Sequence, residues 1–355
     1  MRPRYPGMTR SLAVVLVVGL ALLSCNLPFS QPQASPPPAP TLTPIPPAAA
    51  TGTPTAGVTP ATPVTHVRHP GNPGTSAQFL TDTASIGTSG DHRAPGGDDY
   101  NLDRYERPFT SQDMTYLPSL DITRAEIAWD GTWFYISIKL QASPLTAPDR
   151  PADYGAEIDV NHDGRGDYLI LISVPKTRDW TTDGVRVFQD QNHDVGGATP
   201  LVSDNQPGDG YETLVFNQGQ GPDPDAAWGR ISPTDPGTVQ IAFLRDTIAG
   251  SGSFLWWAWA DAGIRRPDWF DYNDHFTLAQ AGSPLVELKP YYPLSALWGI
   301  DDTCRLAYGF TPDPSLQGLC QMPAPPPAPG ATSTTGLIGV PMKVRATNTP
   351  TQPIG

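Results

Sequence analysis

Apolar residues in the middle of this chain recur at every second position in short runs. From 133 to 140, Phe134, Ile136, Ile138 and Leu140 fall on one face and Tyr135, Ser137 and Lys139 on the other, the period of a strand with one buried side. The run at 125–129 precedes it across Asp130-Gly131, a turn-forming pair, so the two predict an antiparallel hairpin. Tyr154, Ala156, Ile158 and Val160 alternate with Glu157 and Asp159, and Tyr168, Ile170, Ile172 and Val174 form a second such face. Further strands are expected at 185–189, 211–216, 238–244, 254–260 and 276–279, divided by clusters of Gly, Pro and Asp. Residues 223–228 and 314–319 read as single helical turns. Many short strands at close spacing, with no sustained 3.6-residue period, predict an all-β protein, an antiparallel β-sandwich of jelly-roll type with long loops.

The run at 254–260 is the most aromatic. Alternation sets Phe254, Trp256, Ala258 and Ala260 against Leu255, Trp257 and Trp259, so both faces are apolar. Two readings follow. A central strand buried on both sides needs large rings on each face; alternatively, Trp257 and Trp259 form a platform on which sugar rings stack. Trp180, Trp228 and Trp269, in expected loops, are separate candidates.

Composition divides the chain. All 35 acidic residues lie between Asp82 and Asp313, against 16 Lys and Arg in that span, a formal charge of −19. That balance argues against nucleic acid as a partner and favours cations. Residues 26–74 are rich in Pro, Thr and Ala and carry no acidic group, so they read as an extended spacer, and residues 322–355 return to that composition and read as a disordered tail. Between them lie a sandwich at 75–283 and an extension at 284–321 pinned by Cys304 and Cys320, an even pair that reads as a disulfide in an oxidising compartment.

Residues 1–25 form an export signal: Arg2, Arg4 and Arg10 precede an apolar run at 11–23, too short to span a bilayer comfortably. The ending Leu22-Leu23-Ser24-Cys25 resembles the bacterial lipobox. The resemblance implies that Cys25 is lipidated and that the mature protein is an extracytoplasmic lipoprotein held at the membrane by its anchor; an uncleaved anchor or an ordinary secretory signal are the alternatives.

The stretch Asp159-Val-Asn-His-Asp-Gly-Arg-Gly-Asp167 carries oxygen ligands at the spacing of a calcium loop. Asp159, Asn161, Asp163 and Asp167 stand at positions 1, 3, 5 and 9, the carbonyl of Arg165 at 7, and Gly164 at the sharp turn. Asp190, Asn192, Asp194 and the carbonyl of Gly196 repeat the spacing, with Val195 in place of the glycine; Asp99, Asn101 and Asp103 repeat its first half. Clustering of Asp and Asn in ordinary turns is the alternative source of such spacing. The loops resemble those of EF-hand and dockerin proteins, departing at position 12, where Ile170 stands in place of Glu, and in their strand flanks. Ca2+ is the expected ion, drawing together a connector that would otherwise repel itself, so that binding adds to folding stability. Asp204, Asp209 and Glu212 are candidates to complete the second shell, and His162 and His193 are expected to face solvent.

Ser173-Val-Pro-Lys176 and Ser203-Asp-Asn205 match two boxes of serine β-lactamases in letters only, because Ser173 ends a strand instead of opening a helix. The common hydrolase and phosphate-loop motifs are absent. Glu157 and Glu212 are the carboxylates to test for glycoside hydrolysis. The acidic Gly-Asp loop at 96–103, Leu120-Asp-Ile-Thr123, Trp133-Phe-Tyr-Ile-Ser-Ile138 and Tyr154-Gly-Ala-Glu-Ile-Asp159 together resemble family 9 carbohydrate-binding modules and their DOMON-like relatives. That likeness implies a sandwich fold. The reading reached from sequence is a calcium-binding, non-catalytic surface module with polysaccharide or cell-wall glycan as the leading ligand. A purely structural or adhesive surface protein, and a secreted hydrolase, are the alternatives.

Overall fold

The computed structural model describes residues 64–94, 102, 104–143, 152–173, 175–196, 208–262, 266–270, 272–277, 294 and 296–320. The segment expected to be an export signal, Cys25, most of the expected spacer, Asp99, Asn101, Asp103, Asp204 and residues 321–355 lie outside them.

The strands in chain order are β1 (Gln78–Thr81), β2 (Glu106–Arg107), β3 (Ile122–Trp129), β4 (Trp133–Leu140), β5 (Asp153–Asp159), β6 (Tyr168–Ser173), β7 (Val185–Gln189), β8 (Thr213–Asn217), β9 (Ala227–Ile231), β10 (Thr238–Leu244), β11 (Phe254–Asp261), β12 (Ile300–Asp302) and β13 (Leu306–Tyr308). They form two antiparallel sheets. One has the order β1-β3-β4-β10-β9; the other runs β2-β12-β11-β5-β6-β7-β8, with β13 also paired to β11. The expected all-β sandwich is the fold found.

The alternating faces meet between the sheets. Phe134, Ile136, Ile138 and Leu140 pack with Tyr154, Ala156, Ile158, Ile170 and Ile172, and β11 adds Phe254, Trp256, Ala258 and Ala260 to the same core. Removing these side chains from water is the main stabilising term, about 1.5 to 3 kcal/mol for each large one fully buried. The outer face of the eight-stranded sheet is covered as well: Leu169, Leu171 and Trp259 pack with Tyr105, Tyr211, Phe270, Leu297 and Ile300. Loops therefore roof that sheet, as the doubly apolar β11 requires.

Several boundaries differ from expectation. Residues 227 and 228 belong to strand β9; only the turn before it, closed by Ala226 N–H to the Asp223 carbonyl at 3.3 Å, matches the helical turn read there. Residues 314–319 are turns, with Leu316 N–H on the Asp313 carbonyl at 3.0 Å. Phe276 and Thr277 lie outside any strand. The segment expected as an extension supplies β12 and β13, which pair with β11 and belong to the sheet itself. Cys304 and Cys320 are disulfide-bonded there.

The domain also begins before Thr75. Residues 64–74 form a strap on the five-stranded sheet: Asp225 accepts from Val67 N–H at 2.9 Å, Arg68 N–H at 2.8 Å and pairs with His66 at 2.7 Å. His66 and His69 pack on Trp228, and Trp180 donates to the Gly71 carbonyl at 2.7 Å. Proline-rich composition hid this, because the strap is fixed by backbone groups and rings instead of an apolar stripe. Among the described residues no helix is long and apolar enough to cross a membrane.

Candidate functional site

The β5–β6 and β7–β8 connectors lie side by side and share one local design. The carboxylate of Asp159 is fully buried and accepts from His162 N–H at 2.6 Å and Gly164 N–H at 2.8 Å. Asp190, 1% exposed, repeats this on His193 N–H at 2.7 Å and Val195 N–H at 3.1 Å. Both turns pass through a left-handed residue, His162 at φ 67° and His193 at φ 60°. In the first loop Asn161 Oδ1 accepts Asp163 N–H and Asp163 Oδ1 accepts Arg165 N–H, both at 2.9 Å. Asp167 closes it by accepting from Val160 N–H at 2.7 Å, Asn161 N–H at 3.1 Å and the Asn161 amide at 3.0 Å. In the second, Asn192 donates to Asp194 at 3.0 Å and Asp209 at 2.9 Å, while Glu212 instead accepts Gln191 N–H at 3.0 Å.

The loops are tied to each other by Asp190 N–H on the Asp167 carbonyl at 3.0 Å and by Arg165 donating to the His193 carbonyl. Of the two histidines expected to face solvent, His193 is exposed and His162 is half-buried. His162 stacks on Phe310 at 3.8 Å between centroids, and His193 Nδ1 lies 3.1 Å from Asp167 Oδ1. Burial, with the neighbouring charges of Asp163 and Asp167 added, pushes the Asp159 carboxyl up to about 6; burial and Asp194 do the same for Asp190, also to about 6. A carboxylate oxygen has more than one acceptor direction, so these hydrogen bonds orient the oxygens without exhausting them. The donors are hard oxygens, which suit a calcium ion in kind, but among the described residues the carboxylates of neither loop meet, three together, within 4.8 Å of one another.

The indole platform is a different matter. Trp257 is 3% exposed and Trp259 0%, so neither offers a face to a sugar. Trp259 packs on Phe270 at 4.6 Å, and Trp257 lies under the Arg305 guanidinium at 4.4 Å. Of the two readings of β11, burial on both faces is the one realised. Glu157, 3% exposed, is occupied by the indole N–H of Trp257 at 2.8 Å and by the Tyr211 hydroxyl.

A polar row absent from the sequence reading crosses the other sheet. The register pairs Glu126 with Ser137, Ser137 with Gln240, and Gln240 with Arg230, so four outward side chains of β3, β4, β10 and β9 stand in line. Arg230 Nε donates to Gln240 Oε1 at 2.8 Å, and Gln240 Nε2 donates to Ser137 Oγ at 3.2 Å. Above this row runs a groove of about 380 Å³, walled by Asn72 to Gly74 of the strap and by Ser232 to Thr234. Trp180 stacks on the Arg230 guanidinium at 4.1 Å and stands 6.0 Å from the Tyr135 ring. Alternation marks Glu126 and Ser137 as outward; only strand order and register reveal that they align with residues a hundred positions later.

Set against family models, characterised proteins and solved structures, the chain matches none, and its site is read from its own geometry.

Proposed function

We propose that this protein is an exported, lipid-anchored, non-catalytic module that binds glycan in the groove over Glu126, Ser137, Gln240 and Arg230, and whose strand connectors are held by calcium. The observation that carries the reading is that row: amide, guanidinium and hydroxyl groups linked by hydrogen bonds across β9, β10 and β4, with the Glu126 carboxylate next in register on β3, under a concave opening about 380 Å³ in volume. Vicinal sugar hydroxyls are both donors and acceptors, so a fixed array that alternates the two recognises them with little ordering cost. Small-molecule sites of this kind are concave and hold a few convergent polar groups on rigid elements. Tyr135 supplies an aromatic wall.

Titration calorimetry of the full chain with soluble oligosaccharides from cellulose, xylan, mannan, chitin and peptidoglycan tests this. Binding to at least one, abolished by Arg230→Ala and Gln240→Ala but unchanged in Trp257→Phe, supports it. No heat with any of them, in protein whose melting temperature is normal, rejects it.

A further inference from the structure

A second carboxylate centre lies away from both the loops and the groove. Asp82 directly after β1, Glu106 in β2 and Asp301 in β12 each place a carboxylate oxygen within 4.8 Å of the others. Asp121, just before β3, stands beside them and its charge acts on Asp301. Asp301 and Asp121 are fully buried and Glu106 is 3% exposed, while Asp82 reaches partway to the surface.

Acidic residues gather on many surfaces without a ligand, but two features separate this group from those. Asp301 Oδ2 accepts Ile122 N–H at 2.5 Å, yet its Oδ1, sealed from solvent, has no hydrogen-bond partner. Asp121 is the same: its Oδ2 takes Ser85 N–H at 3.1 Å and the Tyr116 hydroxyl, and its buried Oδ1 has none. A buried charged oxygen left without a donor costs several kcal/mol in order of magnitude unless a cation or a proton meets it. The remaining groups are oriented as metal ligands usually are, by partners behind them: Ser85 Oγ donates to Glu106 Oε1 at 2.5 Å, and the same residue's N–H fixes Asp121.

We infer that Asp82, Glu106 and Asp301, with Asp121 beside them, form a buried calcium site that ties the start of the domain to its C-terminal strands. All-oxygen, all-carboxylate donors suit a hard cation, and the lack of His or Cys in the group sets zinc aside. Calcium tolerates irregular oxygen cages, whereas magnesium demands a near-octahedral shell and retains water. Its three ligands come from separate segments and Asp121 adds a fourth beside them, so the ion would bring together the ends of β1, β2, β3 and β12, which no single hairpin joins.

The test separates this site from the connector loops. Full-length protein is stripped with EGTA and titrated with CaCl2, beside the loop variant Asp163→Asn/Asp194→Asn and the variants Asp301→Asn and Glu106→Gln. The loop variant is expected to keep one bound ion, and Asp301→Asn to bind one fewer than wild type. Asp301→Asn also raises the melting temperature of the calcium-free protein, because it removes buried repulsion. Ser85→Ala should weaken this ion about ten-fold without displacing the others. Unchanged stoichiometry in folded Asp301→Asn and Glu106→Gln overturns the inference. If those variants fail to fold, crystals of wild type grown in calcium decide: density enclosed by the three carboxylates upholds the site, and carboxyls that share protons with nothing between them refute it.

Discussion

Trp257 and Glu157 face each other across β11 and β5, and the indole N–H donates to Glu157 Oε1 at 2.8 Å. Tyr211 donates to the other oxygen of the same carboxylate. The acid is thereby a clasp between a strand and the loop above it. Glu157→Ala leaves two buried donors without an acceptor and is expected to destabilise by about 3 kcal/mol, whereas Glu157→Gln, which keeps one acceptor, loses less. Urea midpoints at constant slope measure the difference. Equal stability of Glu157→Ala and wild type contradicts the clasp.

Gly166 sits where Tyr211 crosses the first loop. A Cβ there would lie 1.7 Å from the Tyr211 hydroxyl oxygen and 3.1 Å from Glu157 Oε2. Gly166→Ala therefore forces the ring aside, at a cost of about 1 to 3 kcal/mol. Tyr211→Phe removes the clashing atom, so the double variant should lose less than the two single losses combined. Additive losses would place the clash elsewhere.

The strap at 64–74 hangs on Asp225, and acid should release it. Burial pushes this carboxyl up, but the N–H groups of Val67 and Arg68 and the His66 ring outweigh that and hold it below the ordinary range. The unfolded chain then takes the proton more readily. Anchorage is complete above the unfolded value of about 4 and is lost as pH falls through the lower folded value. The amide resonances of Val67 and Arg68 are expected to shift together over that acid window and to stay flat in Asp225→Asn. Flat resonances in wild type would dismiss Asp225 as the anchor.

The Cys304–Cys320 bond closes a segment of 16 residues in sequence separation. In the chain-entropy model such a link stabilises by about 3 kcal/mol. Cys304→Ser/Cys320→Ser should lower the melting temperature and leave the variant's own melt insensitive to reductant. A wild-type melt that drops in dithiothreitol, beside a variant melt that does not, is the expected pair of curves.

Calcium in the β5–β6 and β7–β8 loops would offset the burial of Asp159 and Asp190. Millimolar CaCl2 is expected to raise the melting temperature and EGTA to lower it, with the shift reduced in Asp163→Asn/Asp194→Asn. A double variant that responds like wild type would mean that these loops are ordinary turns.

Much of the fold was legible because β4, β5, β6, β7, β10 and β11 are long enough for alternation to show. Their inward sets, such as Phe134, Ile136, Ile138 and Leu140, are the core residues found. The elements missed are those whose strand character comes from partners: β1 has four residues, β2 two, and β12 and β13 three each, too few for any clear period. β9 was obscured by the Asp-Pro-rich turn before it. At the sites, the repeated Asp-x-Asn-His-Asp spacing, read as calcium loops, falls on two turns of like hydrogen bonding. Between the two readings of Trp257 and Trp259 alternation could not choose, because it assigns a face without saying what covers it; Phe270 covers Trp259 from 11 positions on and Arg305 covers Trp257 from 48. The polar row and the buried carboxylates depend on register and long-range proximity, which local pattern does not encode.

β12 and β13 dock on the edge of β11 from behind the last loops of the domain. During synthesis the N-terminal portion emerges first, so until residues near 308 arrive that margin offers unsatisfied main-chain groups to any neighbouring polypeptide. Assembly of this domain is thus a race between its own late-arriving strands and intermolecular pairing, and a chain cut short before β12 would lose that race.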